Sequence, residues 1–159
     1  MEKNNLKFGL DLFMALGLLL IMVPKMLGIT VHEWAGLLIA VVFAVHIILN
    51  WNWIKAVTFN FLHKQALRNK FKYILNLLIF IGFAAIIISG MYISKTIDFS
   101  WLGITRGQGM GWRLLHESAS YLTFLLVGIH AGLSFNWILG RFQTGFELGK
   151  GGADYGMQE

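Results

Sequence analysis

The chain of 159 residues contains no cysteine and one proline, and few of its residues carry charge. Without cysteine it cannot form disulfides, thiolate-held iron–sulfur clusters or the Cys-x-x-Cys-His attachment of a c-type haem. Charged residues make up 13% of the sequence, whereas a soluble domain has about 25%. Because 57% of the residues are hydrophobic and the mean hydropathy is +0.65, the composition predicts one integral membrane domain over residues 1–159.

Four apolar runs are long enough to cross a bilayer as helices, which takes about 20 residues. They predict spans at roughly 8–24, 32–52, 73–93 and 115–137. The first span resembles the third at an offset of 65 residues, with Asp11 matching Asn76 and Gly17 matching Gly82. The sequence therefore predicts an all-α four-helix bundle built from two parallel two-helix repeats. The predicted segments are repeat one at about 6–54, repeat two at about 71–138 and a tail at 139–159.

Basic residues predict the orientation of these spans. The net charge of +5 does not indicate nucleic-acid binding, because the positive side chains flank the apolar runs. One side of the membrane receives Lys3, Lys7, Lys55, Lys64, Arg68, Lys70, Lys72 and Arg141, and the other receives Lys25, Lys95, Arg106 and Arg113. By the positive-inside rule, both termini and the loop 53–72 lie in the cytoplasm.

A motif of two histidines followed by Asn-Trp occurs twice. The first copy contains His32, Glu33, His46, Asn52 and Trp53, and the second contains His116, Glu117, His130, Asn136 and Trp137. Every matched pair differs by 84 positions, so the copies align without a gap. Ionisable residues within a membrane span are costly, and four histidines in two superposable pairs therefore indicate a functional site.

The spacing of the histidines places each pair on one helix face. The two histidines of a copy are fourteen positions apart, which is almost four turns of an α-helix and a rise of about 21 Å. They would therefore lie near opposite edges of a bilayer core about 30 Å thick. Since the second and fourth spans run in the same direction, the sequence predicts two levels. His32 would face His116 near the outer surface, and His46 would face His130 near the inner one.

Two histidines at each level suit haem better than zinc. Zinc usually takes four ligands, and glutamates adjoin the histidines only at the outer level. Haem iron takes one axial ligand on each side and needs room for a flat ring. Small residues one turn after the outer histidines would leave that room; they are Ala35, Gly36, Ala119 and Ser120. Gly17 and Gly82 are predicted to let the first and third spans approach the same rings.

The repeated HEWAG…VHIILNWNW unit resembles the small bacterial flavinylation-associated cytochrome family. The resemblance covers about residues 6–54 and 71–138 and lies mainly in the paired histidines. It implies two haems b, electron transfer across the bacterial inner membrane, and partners that include flavin-bearing or other extracytoplasmic redox proteins. The implied axial ligands are His32, His46, His116 and His130.

Charged residues at the two ends of the predicted bundle are secondary candidates. Arg106 and Arg113 lie in the glycine-rich outer loop 95–113, where they are predicted to bind haem propionates or to face the carboxylates of a partner. The same loop could shape a quinone site. Asp11 is expected to pair with Lys7, one helical turn earlier, and the alternative is a role in proton transfer near an inner quinone site.

The leading interpretation is a subunit that passes electrons between membrane quinone and an extracytoplasmic redox protein, as a component of a quinol:acceptor oxidoreductase. It requires no catalytic residue. One alternative is a haem-bearing membrane anchor for a peripheral oxidoreductase. Another is a proton or metal transporter, which would need a chain of Asp, Glu or His at mid-depth. Positions 34–45 and 118–129 hold apolar or hydroxyl groups instead.

The predicted orientation can be tested with reporters fused after Glu159. A reporter that is active only in the cytoplasm should be active there. The positive-inside rule places the basic loop 53–72 in the cytoplasm, and an even number of spans places both termini on the same side as this loop. Activity of a periplasmic reporter at the same position would reverse the assignment of the inner and outer ends.

Overall fold

The computed structural model describes residues 2–23, 28–59, 67–107, 109–135 and 138–140. Within this part of the chain every regular element is helical. The elements are α1 (Glu2–Ile21), α2 (Ile29–Leu49), α3 (Trp51–Phe59), α4 (Leu67–Ile93), a 3₁₀ turn (Ser100–Leu102) and α5 (Met110–Leu133). The predicted tail lies outside the described residues from 141 onward, as do Asn136 and Trp137 at the end of the second motif.

Among the described residues, two helices are long and apolar enough to cross a membrane, Ile29–Leu49 and Asn69–Ile93. Each exceeds the roughly 20 residues that a bilayer core requires. The prediction of an all-helical fold is therefore confirmed for the described residues, while the crossings by α1 and α5 stay predictions. Gly28 begins α2 with a φ of 77°, which a residue without a Cβ adopts at little cost.

The second span begins and ends three residues earlier than predicted, because α2 runs from Ile29 to Leu49 and α3 begins at Trp51. The side-chain amide of Asn50 donates to the carbonyl of His46 at 2.9 Å, and its oxygen accepts from Lys7 Nζ at 2.9 Å. Asn50 thus competes for backbone groups at the end of the helix, as short amide side chains commonly do.

Each histidine-bearing helix packs mainly against the first helix of its own repeat. Helix α1 packs on α2, and α4 packs on α5, while the two repeats meet through α2 and α4. The core between them consists of Leu18, Ile39, Phe43, Leu75, Ile79 and Phe83. The ring of Phe43 stacks on that of Phe83 with centroids 4.3 Å apart. These residues form an apolar middle layer between the two histidine levels.

The two repeats make equivalent glycine contacts in this layer. Gly17 on α1 lies against the side chain of Ile39 on α2, and Gly82 on α4 lies against the buried Thr123 on α5. The glycines match at an offset of 65 and their partners at an offset of 84. Gly17 and Gly82 therefore admit a side chain of the neighbouring helix, whereas the sequence predicted that they would admit a ring.

Hydrogen bonds to one carboxylate connect the two repeats at the end where His32 lies. Glu33 on α2 accepts hydrogen bonds from the Ser94 hydroxyl at 2.9 Å and from the backbone N–H groups of Lys95 and Thr96 at 2.7 and 2.8 Å. These donors follow the last residue of α4. Hydrogen bonds to a charged acceptor are stronger than neutral ones, so Glu33 fixes the start of the outer loop next to His32. The matching Glu117 is exposed.

The glycine contacts predict a difference between two leucine substitutions. G82L should lower the thermal unfolding temperature in detergent, because a larger side chain would collide with Thr123 and such overpacking costs about 1–3 kcal/mol. G128L is the matched control, since no neighbouring atom lies within 4 Å of a Cβ built there. Equal unfolding temperatures for the two variants would contradict the close approach of α4 and α5.

Candidate functional site

The structure brings His32 and His116 together at the outer end of the bundle. Their ring centroids are 6.2 Å apart and the rings are inclined at 77°. The two side chains come from α2 and α5, helices that make few backbone contacts with each other. An open space bounded by two imidazoles therefore lies between the repeats.

Both outer histidines have their Nδ1 atoms occupied by backbone carbonyls. His32 Nδ1 lies 3.0 Å from the carbonyl oxygen of Ile21, and His116 Nδ1 lies 3.0 Å from that of Ile86. A carbonyl can only accept, so each Nδ1 carries the proton and each Nε2 is left as the nitrogen that can bind a metal. Ile21 and Ile86 match at the same offset of 65, so the repeats hold their outer histidines in the same way.

A cavity of about 440 Å³ surrounds the outer pair. Its lining is mainly apolar and includes Gly36, Gly90 and Ser120 beside the two histidines. A Cβ at Gly36 would meet no neighbour within 4 Å, whereas a Cβ at Gly90 would lie 3.2 Å from Cε1 of the His116 ring. Small residues thus leave room beside the histidines, as their spacing in the sequence predicted.

The inner level is organised around a carboxylate. His46 Nδ1 lies 2.7 Å from Asp11 Oδ1. Asp11 was expected to pair with Lys7, and this expectation is wrong, because Lys7 reaches Asn50 and Asp11 turns toward α2. His130 is half-buried on α5 and lies within electrostatic reach of His46, Asp11 and Lys72. The structure thus places a carboxylate beside His46, and the pairing of His46 with His130 stays a prediction.

The outer arginines lie beside the outer cavity. Arg106 Nη2 donates to the backbone carbonyl of Lys95 at 2.9 Å, which closes the loop between α4 and α5. Arg113 lines the outer cavity and, with Lys95 and Arg106, a second cavity of about 530 Å³. Three cations thus surround one opening at the outer end, and the predicted role of the arginines in propionate binding stays a prediction.

Aromatic packing holds the same loop. Tyr92 stacks on Trp112 with ring centroids 4.2 Å apart, and the backbone N–H of Gly107 donates to the carbonyl of Tyr92 at 2.8 Å. Within the loop, the backbone N–H of Ser100 keeps the pKa of Asp98 below its ordinary value. The loop is therefore fixed to the end of α4 and carries charge of both signs.

The family model for prokaryotic cytochrome b561 matches residues 6–141. The chain belongs to the prokaryotic cytochrome b561 family. It is a membrane b-type cytochrome that functions in electron transfer, so the resemblance to b-type cytochromes is confirmed at this level. Comparison with curated proteins and with solved structures found no match.

The outer histidines of this cytochrome fit the haem b that the family implies. An imidazole centroid lies about 3 Å from a metal bound at about 2.0 Å through Nε2, so two axial imidazoles on one iron have centroids about 6 Å apart. His32 and His116 have that separation, and their neutral imidazoles are suitable axial donors. Among the described residues no group of three or more His, Cys, Asp or Glu could hold a metal ion, so this part of the chain lacks the usual ligand set of zinc.

The residues that accept hydrogen bonds from the histidine Nδ1 atoms could not be identified from residue types alone. The acceptors at the outer level are backbone carbonyls, which the side chains at positions 21 and 86 do not reveal. The repeat offset was the available signal, since His32 and His116 match and so do Ile21 and Ile86. Asp11 stands out in the sequence as a charge in an apolar run, but its partner His46 lies 35 positions away.

The cytochrome should lose the same spectral component when either histidine of one level is replaced. H32A and H116A are expected to remove one component of the reduced-minus-oxidised α band, because an axial ligand is lost from the same site. H46A and H130A should remove another. H63A is the control and should keep both. Loss of one shared component in H32A and H130A would mean that the levels are wrongly paired.

Proposed function

We propose that this cytochrome carries electrons across the membrane through two haems b, one at each histidine level. His32 and His116 would hold the outer haem, and His46 and His130 the inner one. The observation that carries the proposal is the outer pair, whose Nδ1 atoms are both bonded to carbonyls and whose rings stand 6.2 Å apart. A bound haem supplies one-electron oxidation and reduction at its iron. Two protein ligands leave no axial position for a substrate.

The protein would contribute orientation and exclusion of water. The hydrogen bonds at Nδ1 hold each outer ring in one tautomer and one direction. The middle layer of Leu18, Ile39, Phe43, Leu75, Ile79 and Phe83 separates the two levels with apolar side chains. A proton relay needs a chain of Asp, Glu or His at this depth, and positions 34–45 and 118–129 between the histidines hold apolar or hydroxyl groups instead. The apolar layer therefore favours electron transfer over proton or metal transport.

The proposed architecture is a four-helix membrane bundle of two parallel repeats, formed by α1, α2, α4 and α5. It is supported by the contacts that recur at matched positions, Gly17 with Ile39 and Gly82 with Thr123. In this arrangement both termini lie in the cytoplasm. The outer loop then faces the extracytoplasmic side of the inner membrane, where quinol and a redox protein can reach the outer level.

The proposed partners are membrane quinone and an extracytoplasmic redox protein, flavin-bearing as in the flavinylation-associated cytochromes. The support comes from Lys95, Arg106 and Arg113, which surround the second cavity at the outer end. Cations arranged around an opening attract carboxylates of an approaching protein and speed its docking. This cavity adjoins the one that contains His116, since Lys95 and Arg113 line both.

The cofactor content tests the proposed function directly. Haem extracted from the purified protein should amount to two haems b per chain, since the histidines form two levels. Quantification of the extracted haem against protein mass, together with a b-type α band on reduction, provides the measurement. A content near one haem per chain would leave one level without a cofactor and contradict the proposal.

The basic cluster predicts a kinetic defect without a loss of cofactor. R113Q should slow reduction by quinol or by the native partner, because one cation at the outer opening is removed. Reduction by dithionite and the haem content should remain normal. K55Q is the matched control, since Lys55 is an exposed cation on α3. Unchanged kinetics in R113Q would exclude the outer opening as the docking surface, and loss of the outer haem would assign Arg113 to the propionates.

A further inference from the structure

The hydrogen-bond acceptors at the histidine Nδ1 atoms differ between the two levels. At the outer level both Nδ1 atoms face neutral carbonyls, those of Ile21 and Ile86. At the inner level His46 faces the carboxylate of Asp11 at 2.7 Å. The neighbouring cation Lys7 is bonded to Asn50. The inner level therefore holds a negative charge directly behind a histidine, and the outer level does not.

The fourth position is identified by the repeat. Asn76 on α4 matches Asp11 on α1 at the offset of 65 that also relates Ile86 to Ile21. His130 matches His46 at the offset of 84. The Oδ1 atom of Asn76 is buried and has no hydrogen-bond partner among the described residues. A buried acceptor without a donor is costly. The repeat predicts that the Nδ1–H group of His130 is the donor to this oxygen.

We infer that Asp11 and Asn76 are the positioning residues of the inner haem and that the Asp11 carboxylate sets its potential below that of the outer haem. Asp11 accepts a hydrogen bond from His46 Nδ1, and Asn76 accepts one from His130 Nδ1 when both histidines bind iron. The inference rests on the proposed function, because it requires an iron at the inner level.

The physical basis is the basicity of the ligand. A carboxylate that accepts the Nδ1 proton makes the imidazole a stronger donor than a carbonyl does, and a stronger donor favours the ferric iron over the ferrous iron. Net charge and hydrogen bonding around the ligands are known means of tuning such potentials. Lys72 lies within electrostatic reach of His130 and acts in the opposite direction. The effect of Asp11 on the inner potential is therefore measured by comparing variants with the native protein.

The two residues offer a matched pair of substitutions. D11N gives repeat one the amide that repeat two already has, and N76D gives repeat two the carboxylate. Redox titration of each purified protein, followed in the α band, should show a higher inner midpoint potential in D11N and a lower one in N76D. A tenfold change in the ferric-to-ferrous preference corresponds to about 59 mV for this one-electron couple. The outer potential should not change and serves as the internal control.

The double variant D11N/N76D separates tuning from a merely structural role. It keeps one carboxylate and one amide at the inner level, so its inner potential should return toward that of the native protein. Midpoints that stay unchanged in both single variants, or a shift confined to the outer haem, would overturn the inference while two haems per chain would still support the proposed function. A protein with fewer than two haems before any substitution would instead contradict the proposed function.

Discussion

The hydrogen bond from a histidine Nδ1 to the preceding helix is the interaction on which the rest of this structure depends. It joins α2 to α1 through His32 and Ile21, and α5 to α4 through His116 and Ile86. The same bond sets the tautomer of the ring and leaves Nε2 free for a metal. One contact thus links the pairing of the helices in each repeat to the orientation of the nitrogen that can bind a metal. The histidine-bearing helices can then remain apart from each other, which leaves the cavity between them.

The sequence predicted the order of the helices and the partnership of His32 with His116, because both follow from periodicity and from an exact repeat. It did not predict the termination of α2 at Leu49, which depends on the hydrogen bonds of Asn50. It also gave the wrong partner for Asp11. A local rule favours Lys7 one turn away, but Asp11 Oδ1 lies 2.7 Å from His46 Nδ1 and Lys7 bonds to Asn50. Contacts between distant segments decide such cases, and spacing along one helix does not record them.

The repeats share matched glycine contacts and differ in the hydrogen bonds that a few polar residues make. Glu33 fastens the loop after α4, whereas the matching Glu117 is exposed. Asp11 bonds to His46, whereas its match is the amide of Asn76. The two glutamates are the same residue in different surroundings, whereas Asp11 and Asn76 are similar in size and differ in charge. The duplicated framework thus provides two similar halves, and a few polar residues make the halves distinct.

The position of the hydrophobic core has a consequence for assembly. Its six buried side chains all lie in the middle layer, between the levels of the histidines. The outer level is occupied by a cavity of about 440 Å³ where a globular protein would place further packed side chains. Because a group that binds only the folded chain adds its binding free energy to stability, insertion of the cofactor completes the folding of this protein. A chain made without haem would therefore keep its packed middle layer but lose this contribution, so its stability in the membrane would follow the supply of haem.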